Sequence, residues 1–272
     1  MDTWTLQAPA RPAPVVLPAA DDAPLLVARR VTFAAGAHIA MHQHVRGQFL
    51  FSASGTMFVR SPRQAWLVPP SRALWLPAGT PHAIDAHGEL QMRTLYLNAA
   101  SAAHLPRQSV VLDVTPLLRE LILRMTAPQA GDDEGGDDVR RDLAARLAVA
   151  EIARLPRCAL ELPMPAAADL LALCESFLAC PSRTHEPAHA LGGARTLHRR
   201  FTAETGLSFV QWRKQACLLH AVRLLSAGRP VTEVAFDLGY ESPSAFTTMF
   251  GRAFGTTPRA FLPGRGADGG RP

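Results

Sequence analysis

The sequence predicts a multidomain protein with an N-terminal β domain, connecting helices and a C-terminal domain that is entirely α-helical. Three observations support this fold class. The chain has 272 residues, more than a single hydrophobic core usually organises. Its first half consists of short apolar runs separated by glycine and proline. From Leu112 onward, apolar residues recur every three or four positions, as on one face of a helix.

The predicted elements divide the chain into five segments. Residues 1–20 are rich in proline and alanine and are expected to form a flexible tail. Residues 21–111 carry runs such as RRVTF, GQFLFSASG and ALWLPAG, which are typical of a many-stranded β domain. Residues 112–162 contain two helical patterns, expected to link the domains and to form a homodimer contact. Residues 163–263 are predicted to be a helical domain, and residues 264–272 a second flexible tail.

Composition and charge restrict the function. The chain is 48% hydrophobic and 19% charged, which is ordinary for a folded soluble protein. Its net charge is +5, and from Met164 to the end twelve basic residues face eight acidic ones, which suits a polyanionic partner such as double-stranded DNA. The sequence lacks a bilayer-spanning apolar run and a signal-peptide pattern, so we expect a cytoplasmic protein with no membrane partner. The four cysteines have no CxxC spacing and are interpreted as buried thiols.

The strongest local signal is the segment RPVTEVAFDLGYESPSAFTTMFGRAFGTTPRAFL. Gly239 suits a tight turn between two helices, Ser242 suits the N-cap of the second helix, and Pro243 suits its first position. Phe246 and Phe250 then belong to a buried stripe. The opposite face carries small or polar groups able to approach bases and phosphates: Ser244, Thr247, Thr248 and Arg252. This pattern predicts a DNA-reading helix.

A similar unit lies about 49 residues earlier, in GGARTLHRRFTAETGLSF. Phe201 and Gly206 repeat the spacing of Phe250 and Gly255. The outward face is expected to carry the contacts of a second reading helix: Arg195, His198, Arg199 and Thr202. Between the two units a long helix, capped by Ser208, would hold the readers at a fixed separation.

These residues make the C-terminal region, from about Leu170 to Leu262, resemble the AraC/XylS family of bacterial transcription regulators. The resemblance implies two recognition helices in successive turns of the DNA major groove, about 34 Å apart. One part departs from the family pattern. Pro187 falls where the family has a helix before the first reader, and Gly193 stands where a serine cap is usual. We therefore expect the first unit to be shifted, frayed or weak.

The N-terminal region contains a candidate metal site. Gly36, His42, His44, Gln48 and Gly55 form the arrangement G-x5-H-x-H-x3-Q-x6-G, and PAGTPH follows, ending at His82. These two blocks resemble the paired motifs of the cupin fold, which implies a jelly-roll β-barrel. Two histidines at i and i+2 on one strand would point to the same face, and His82 could supply a third ligand.

Two interpretations of these histidines stay open. Three imidazoles suit Zn, Fe, Ni or Cu, with Gln48 in the fourth position where the family commonly has glutamate. Alternatively, the imidazoles are polar groups of the barrel interior that contact a ligand, or one another, without metal. Trp66 and Trp75 flank the second motif and are interpreted either as core residues or as the lining of an effector pocket.

The whole layout resembles the branch of the AraC/XylS family that has an N-terminal cupin domain, to which the nitroimidazole-efflux repressor belongs. The resemblance implies a DNA-binding regulator in which a small-molecule effector or a metal tunes expression of a nearby gene, for example one for a transporter. The first alternative is a metal-dependent cupin enzyme, an oxygenase or isomerase, with a vestigial helical domain. The second is a module that binds a partner regulator without touching DNA. The missing glutamate argues against catalysis, so we predict no enzyme activity.

Overall fold

The computed structural model describes residues 24–127, 136–179, 181 and 193–261, with side chains of the helix that begins at 136 described from Val139. The two predicted tails, the acidic and glycine-rich stretch at residues 128–135, Cys180 and Pro187 lie outside the described residues. The described residues form two compact units. The sheet unit comprises residues up to 59 together with 68–159, and the helical unit comprises residues 60–67 and those from 160 onward.

Eight strands occur along the described chain, and long-range pairing organises them. They are β1 (Leu26–Phe33), β2 (His38–His42), β3 (Gly47–Ser61), β4 (Gln64–Val68), β5 (Arg72–Leu76), β6 (His82–Leu97), β7 (Val110–Asp113) and β8 (Glu161–Pro163). Within the sheet unit, the first residues of β6 pair with β2 and its last residues pair with β1. Strand β6 also pairs with β3, and β5 lies between β3 and β7 and pairs with both. No pairing among the described residues joins β7 back to β1 or β2, so the sheet is not closed into the predicted barrel.

The sheet unit has a hydrophobic core on one face of its sheet. Phe49 and Phe51 of β3 pair with Trp75 and Ala73 of β5, and all four lie in one buried cluster. Strand side chains alternate between faces, so Gln48, next to Phe49, points to the other side. Gly55 lies within β3 and has a φ of 75°, a conformation that favours glycine. Its Cα also passes close to β6, because a Cβ there would lie 2.5 Å from the carbonyl oxygen of Glu89.

Helices cover this core. They are α1 (Ala99–Ala102), α2 (Pro116–Met125) and α3 (Gly136–Ile152). Thr115 begins α2, because its side chain accepts a hydrogen bond from the Leu118 amide at 3.2 Å and a proline follows it. Leu118 of α2 and Ala148 of α3 are fully buried in the cluster. The helices predicted within 112–162 therefore form a second layer of the sheet unit.

The described residues of the helical unit form β4, β8 and six helices. The helices are α4 (Ala168–Ala179), α5 (Ala194–Thr205), α6 (Phe209–Ser226), α7 (Val231–Asp237), α8 (Pro243–Phe254) and α9 (Pro258–Phe261). Two aromatic clusters fill the unit. Phe201 of α5 packs against Phe209 and Trp212 of α6, with ring centroids 5.2 and 5.9 Å away. Phe250 of α8 packs similarly against Phe261 of α9, 5.4 Å away.

Side chains of α6 tie it to the edge of β8. The indole Nε1 of Trp212 donates to the carbonyl oxygen of Pro163 at 2.7 Å, and the amide of Gln215 donates to the carbonyl oxygen of Glu161 at 2.7 Å. Backbone carbonyls of an edge strand need partners when they are buried. The two bonds therefore fix α6 against the extended segment that enters the helical unit. Among the described residues, no helix combines the length and hydrophobicity that crossing a bilayer would require.

Candidate functional site

The first candidate site is the histidine cluster of the sheet unit. His42 is the last residue of β2, and the pairing register places it directly opposite His82, the first residue of β6. His44 was expected on the same strand as His42, but β2 ends at His42 and His44 lies in the following connection. There its carbonyl oxygen accepts a hydrogen bond from the Gly79 amide at 2.8 Å. This hydrogen bond joins the second sequence motif to the first at its second histidine.

The three imidazoles form a compact group. The ring centroids of His42 and His82 are 4.3 Å apart, those of His42 and His44 are 4.9 Å apart, and those of His44 and His82 are 5.6 Å apart. One nitrogen from each ring can be chosen such that all three lie within 4.8 Å of one another. His82 is buried, whereas His42 and His44 are half-buried, so the group is accessible from one side.

Backbone carbonyls orient two of the rings. His42 Nδ1 lies 2.8 Å from the carbonyl oxygen of Ala40, and His82 Nδ1 lies 2.9 Å from that of Thr80. A carbonyl oxygen only accepts, so Nδ1 carries the proton in both rings and Nε2 keeps its lone pair. The Nε2 atoms of His44 and His82 are buried without a hydrogen-bond partner among the described residues. His82 thus combines a fixed tautomer with an unpartnered Nε2, an arrangement typical of a histidine that ligates a metal.

The electrostatics of the cluster also fit a metal. Burial, with a smaller contribution from the neighbouring His42, lowers the pKa of His44 to about 4. Burial likewise lowers the pKa of His82 to about 4, although its bond to the Thr80 carbonyl acts in the opposite direction. Both imidazoles are therefore neutral at pH 7, and the neutral imidazole is the form that ligates metals.

Gln48 is linked to this cluster through residues that the sequence reasoning missed. Its amide nitrogen donates to the Thr94 hydroxyl and to the Tyr96 hydroxyl, both at 3.2 Å. The Tyr96 ring in turn packs edge-on against His44, with centroids 5.1 Å apart. Gln48 Oε1 is buried without a hydrogen-bond partner among the described residues. The alternation of LQMRTLYL places Thr94 and Tyr96 on one face of β6, and this signal could have identified them.

The two tryptophans predicted as core residues or as an effector pocket belong to different units and are described separately. Trp75 is 1% exposed in the core beneath the helices, where its Nε1 donates to the Pro106 carbonyl oxygen at 2.8 Å. Trp66 is also 1% exposed, but it lies on β4 in the helical unit, opposite Glu161 of β8. Of the two interpretations left open for Trp75, its position in the buried cluster favours the core, because alternation along β5 directs its ring to that face of the sheet.

The second candidate site consists of the two predicted reading helices, which repeat one another. Helices α5 and α8 each have 12 residues and end at a glycine with left-handed backbone, Gly206 at φ 75° and Gly255 at φ 70°. In each case the glycine amide donates to the carbonyl oxygen four residues earlier. The next helix then begins at a hydroxyl cap, Ser208 before α6 and Thr257 before α9. The two repeated units predicted from sequence therefore also share the glycine that ends the reading helix and the hydroxyl that caps the next helix.

The outward face of α8 has the expected character. Ser242 caps the helix by accepting from the Ala245 amide, and Pro243 follows as predicted. Ser244, Thr248 and Arg252 are exposed, and Thr247 is half-buried. The side chains available for contact therefore lie on one face of this helix.

The outward face of α5 agrees with the sequence analysis at three of four positions. Arg195, His198 and Arg199 are exposed. Thr202 differs, because its hydroxyl is buried without a hydrogen-bond partner among the described residues. Gly193 precedes the helix at φ 88° and provides no side-chain cap, in line with the expectation from sequence. The helix that should precede α5 falls mostly on residues outside the described part of the chain.

Helix α5 is fastened to α4 by charged groups. Arg200 makes a two-pronged pair with Asp169, with nitrogen–oxygen distances of 2.7 and 2.8 Å. Glu204, one turn later, accepts from the amides of Ala166 and Ala167 at 2.7 and 2.9 Å. These amides belong to the two residues that immediately precede α4. The two side chains fix how α5 sits on α4, and sequence reasoning did not identify either of them.

Comparisons with known proteins match both halves of the chain. Residues 26–148 match the family model described as AraC-like ligand binding domain, and residues 189–263 match a helix-turn-helix domain model. The HTH-type transcriptional regulator NimR of Escherichia coli K12 is 31% identical over 226 residues, which is 82% of this chain and 81% of that protein. The HTH-type transcriptional activator RhaS of Escherichia fergusonii is 38% identical over 74 residues, 27% of each chain.

Among solved structures, ToxT of Vibrio cholerae aligns with 88% of this chain and 99% of its own, at 9% identity and a TM-score of 0.36. A TM-score at this level supports no further conclusion about the present chain.

Proposed function

The chain belongs to the AraC family of transcription regulators, and we propose that its histidine cluster binds a divalent metal through which a small effector controls DNA binding. The family indicates a regulator rather than an enzyme, with a ligand-binding domain and a helix-turn-helix domain. Control of a nearby gene, such as one for a transporter, and a cytoplasmic location stay predictions from the sequence.

One observation carries the metal proposal: the Nε2 atoms of His44 and His82 are buried beside His42 without a hydrogen-bond partner among the described residues. Burying a polar atom without a partner costs about 1–3 kcal/mol, which a ligand would offset. His42, His44 and His82 would hold the ion, and Zn, Fe, Ni and Cu all accept such a donor set. A bound ion would supply a Lewis-acid position for a donor atom of the effector.

The protein's own groups would recognise the effector beside that position. The amide nitrogen of Gln48 donates to Thr94 and Tyr96, which fixes the orientation of the amide group. Its Oε1 has no hydrogen-bond partner among the described residues and can accept a hydrogen bond from the effector. Replacing the family's usual glutamate by glutamine removes a negative charge at this position. The site with Gln48 would therefore repel an anionic effector group less than the same site with glutamate at position 48.

For DNA binding, the proposal rests on the repeated helices α5 and α8. Exposed Arg195 and Arg199 on α5 and Arg252 on α8 are the expected charged contacts, each suited to phosphate or to guanine. Occupation of the ligand-binding domain would change how well the two helices reach adjacent turns of the major groove.

A homodimer is a further part of the proposal. Helix α3 buries Ala148 and Ile152 in the sheet unit, but Val139, Leu143 and Leu147 are 62%, 60% and 43% exposed at four-residue spacing. Such a stripe suits a second copy of the same helix. Leu143→Glu should convert a dimer to a monomer in sedimentation analysis; an unchanged mass would argue against this face.

The metal proposal is tested by equilibrium dialysis of the purified chain against Zn²⁺ or Ni²⁺, with metal content measured by mass spectrometry. The expected result is one ion per chain, lost in His82→Ala. His38→Ala is the matched control, because this histidine lies on the same strand β2 but pairs with Asp85 at 2.6 Å instead of joining the cluster. Equal metal content in both variants would refute the assignment of the ligands.

The DNA part is tested by footprinting on the promoter next to the protein's own gene, with and without metal. Two protected segments about one helical turn apart are expected. Arg199→Ala should weaken binding and lower its salt dependence; an unchanged affinity at physiological salt would show that the first reading helix is not engaged.

A further inference from the structure

A groove of about 640 Å³ lies between α6 and α8 in the helical unit. On α6 it is lined by Lys214 and Leu218, four residues apart and therefore on one face. On α8 it is lined by Ser244, Thr248 and Arg252, which also recur every four residues. The groove thus runs along the outward face of the second reading helix, and three of its residues are candidate DNA contacts.

The lining of this groove combines cationic and hydroxyl side chains, which suit an anion, with apolar ones. Lys214 and Arg252 are exposed cations, one on each wall, and the hydroxyls of Ser244 and Thr248 line the same groove. Leu218 and Met249 add apolar surface to the lining. None of the residues described as lining the groove is acidic, so no carboxylate within it competes for the two cations.

Lys214 has a distinct place in the sequence. It is the single lysine among 28 basic residues, and it lies on the helix that connects the two readers rather than on either reader. An ammonium on a flexible stem is a compact point charge that binds phosphate without demanding a planar geometry. A side chain at this position can reach the DNA backbone without constraining which base α8 reads.

We propose that this groove seats a backbone phosphate of the DNA beside the segment contacted by α8, with Lys214 as the phosphate contact. The inference rests on the proposed DNA binding and adds a contact outside both reading helices. The occupant is the DNA backbone rather than a free anion because the groove shares Ser244, Thr248 and Arg252 with the face of α8 that approaches the duplex. Sugar carbons next to the phosphate would contact the apolar side chains of the lining.

The test uses the full chain and a duplex of about 30 base pairs of mixed sequence, because the phosphate term does not depend on sequence. Fluorescence anisotropy gives the dissociation constant at several potassium chloride concentrations. Losing one phosphate contact should reduce the slope of log K against log salt by about 0.9, which corresponds to binding roughly eightfold weaker at about 0.1 M salt. Lys214→Gln should show both effects, and Lys214→Arg, which keeps the charge, should show neither.

Arg229→Gln is the matched control for net charge. Arg229 belongs to the same unit but pairs with Glu233 and Asp237 on α7, at 2.9 and 2.8 Å. Its loss should leave the slope almost unchanged. An equal reduction in the Arg229 variant, or no reduction in Lys214→Gln, would overturn the inference. If the unaltered protein shows no salt-dependent binding to the duplex, the proposed function itself fails.

Amine acetylation gives a second readout, because the chain has one lysine side chain to modify. The duplex should protect Lys214 from acetylation, as measured by mass spectrometry of the peptide that contains it. Millimolar inorganic phosphate should not. Equal protection by free phosphate would identify a simple anion site instead, and an absence of protection by DNA that is bound would refute the contact.

Discussion

Replacing Gly47 by alanine should destabilise the sheet unit strongly, although the backbone of Gly47 needs no unusual conformation. A Cβ at this position would lie 2.2 Å from Cη2 of Trp75 and 3.0 Å from its Cζ2 and Cζ3. Ordinary carbon–carbon contacts are about 3.5–4.0 Å, so the overlap exceeds one ångström. Trp75 cannot swing away easily, because it is 1% exposed and its Nε1 is bonded to the Pro106 carbonyl oxygen.

The expected cost follows from these contacts. Overpacking of a buried site typically costs about 1–3 kcal/mol. Displacing the indole from its hydrogen bond would add about 1 kcal/mol. We therefore expect Gly47→Ala to lower the free energy of unfolding by about 2–4 kcal/mol. Trp75→Leu alone should also destabilise, because it empties part of the core around Phe49 and Phe51.

A double-mutant cycle in urea, monitored by far-UV circular dichroism, isolates the contact. Combining Gly47→Ala with Trp75→Leu should cost at least about 1 kcal/mol less than the sum of the single changes, because the smaller side chain makes room for the methyl group. Trp66→Leu is the control, since this buried tryptophan lies in the other unit, and its effect should add to that of Gly47→Ala. Strict additivity with Trp75→Leu would refute the close packing of Trp75 against Gly47.

Three further predictions concern the histidines, α5 and α8. For His44 and His82 the pKa in the folded state is about 4, below the usual 6.5, so in metal-free protein the unfolded state takes up protons first as the pH drops. The free energy of unfolding should therefore fall from about pH 6.5 toward pH 4, and a urea midpoint that stays constant over that range would contradict this. The amides of Ala166 and Ala167 donate to the Glu204 carboxylate, so Glu204→Ala should speed their hydrogen exchange while amides of α8 keep their protection. Unchanged exchange at Ala166 and Ala167 would show that the carboxylate does not stabilise the start of α4. Phe250→Ala, at a fully buried side chain, should cost about 3–5 kcal/mol and abolish DNA binding through loss of α8, and a variant that keeps its melting temperature would disprove that packing.

Much of the candidate site could be predicted from sequence because its signals are local. Ser242, Pro243 and Gly255 mark the ends of α8 by capping chemistry, and the repeated phenylalanine–glycine spacing marks α5 in the same way. His42 and His44 could be paired because they are two residues apart. None of these inferences required knowing what lies across the fold.

What the sequence could not provide depends on pairing between distant segments. The register of β2 on β6 sets His42 opposite His82, and the register of β3 on β5 directs Trp75 to the core rather than toward Gln48. A period of two identifies a strand but not which face is buried, since that depends on the helices that cover it.

The sequence by itself therefore determined the two domain types, the two reading helices and the identity of the candidate ligands, because caps, turns and periodicity act over a few residues. Only the tertiary structure decided that Thr94 and Tyr96 support Gln48, that Glu204 caps α4 and that Lys214 lines a groove with α8. These relations arise where elements meet, and the free energy that fixes them comes from long-range packing rather than from any local pattern.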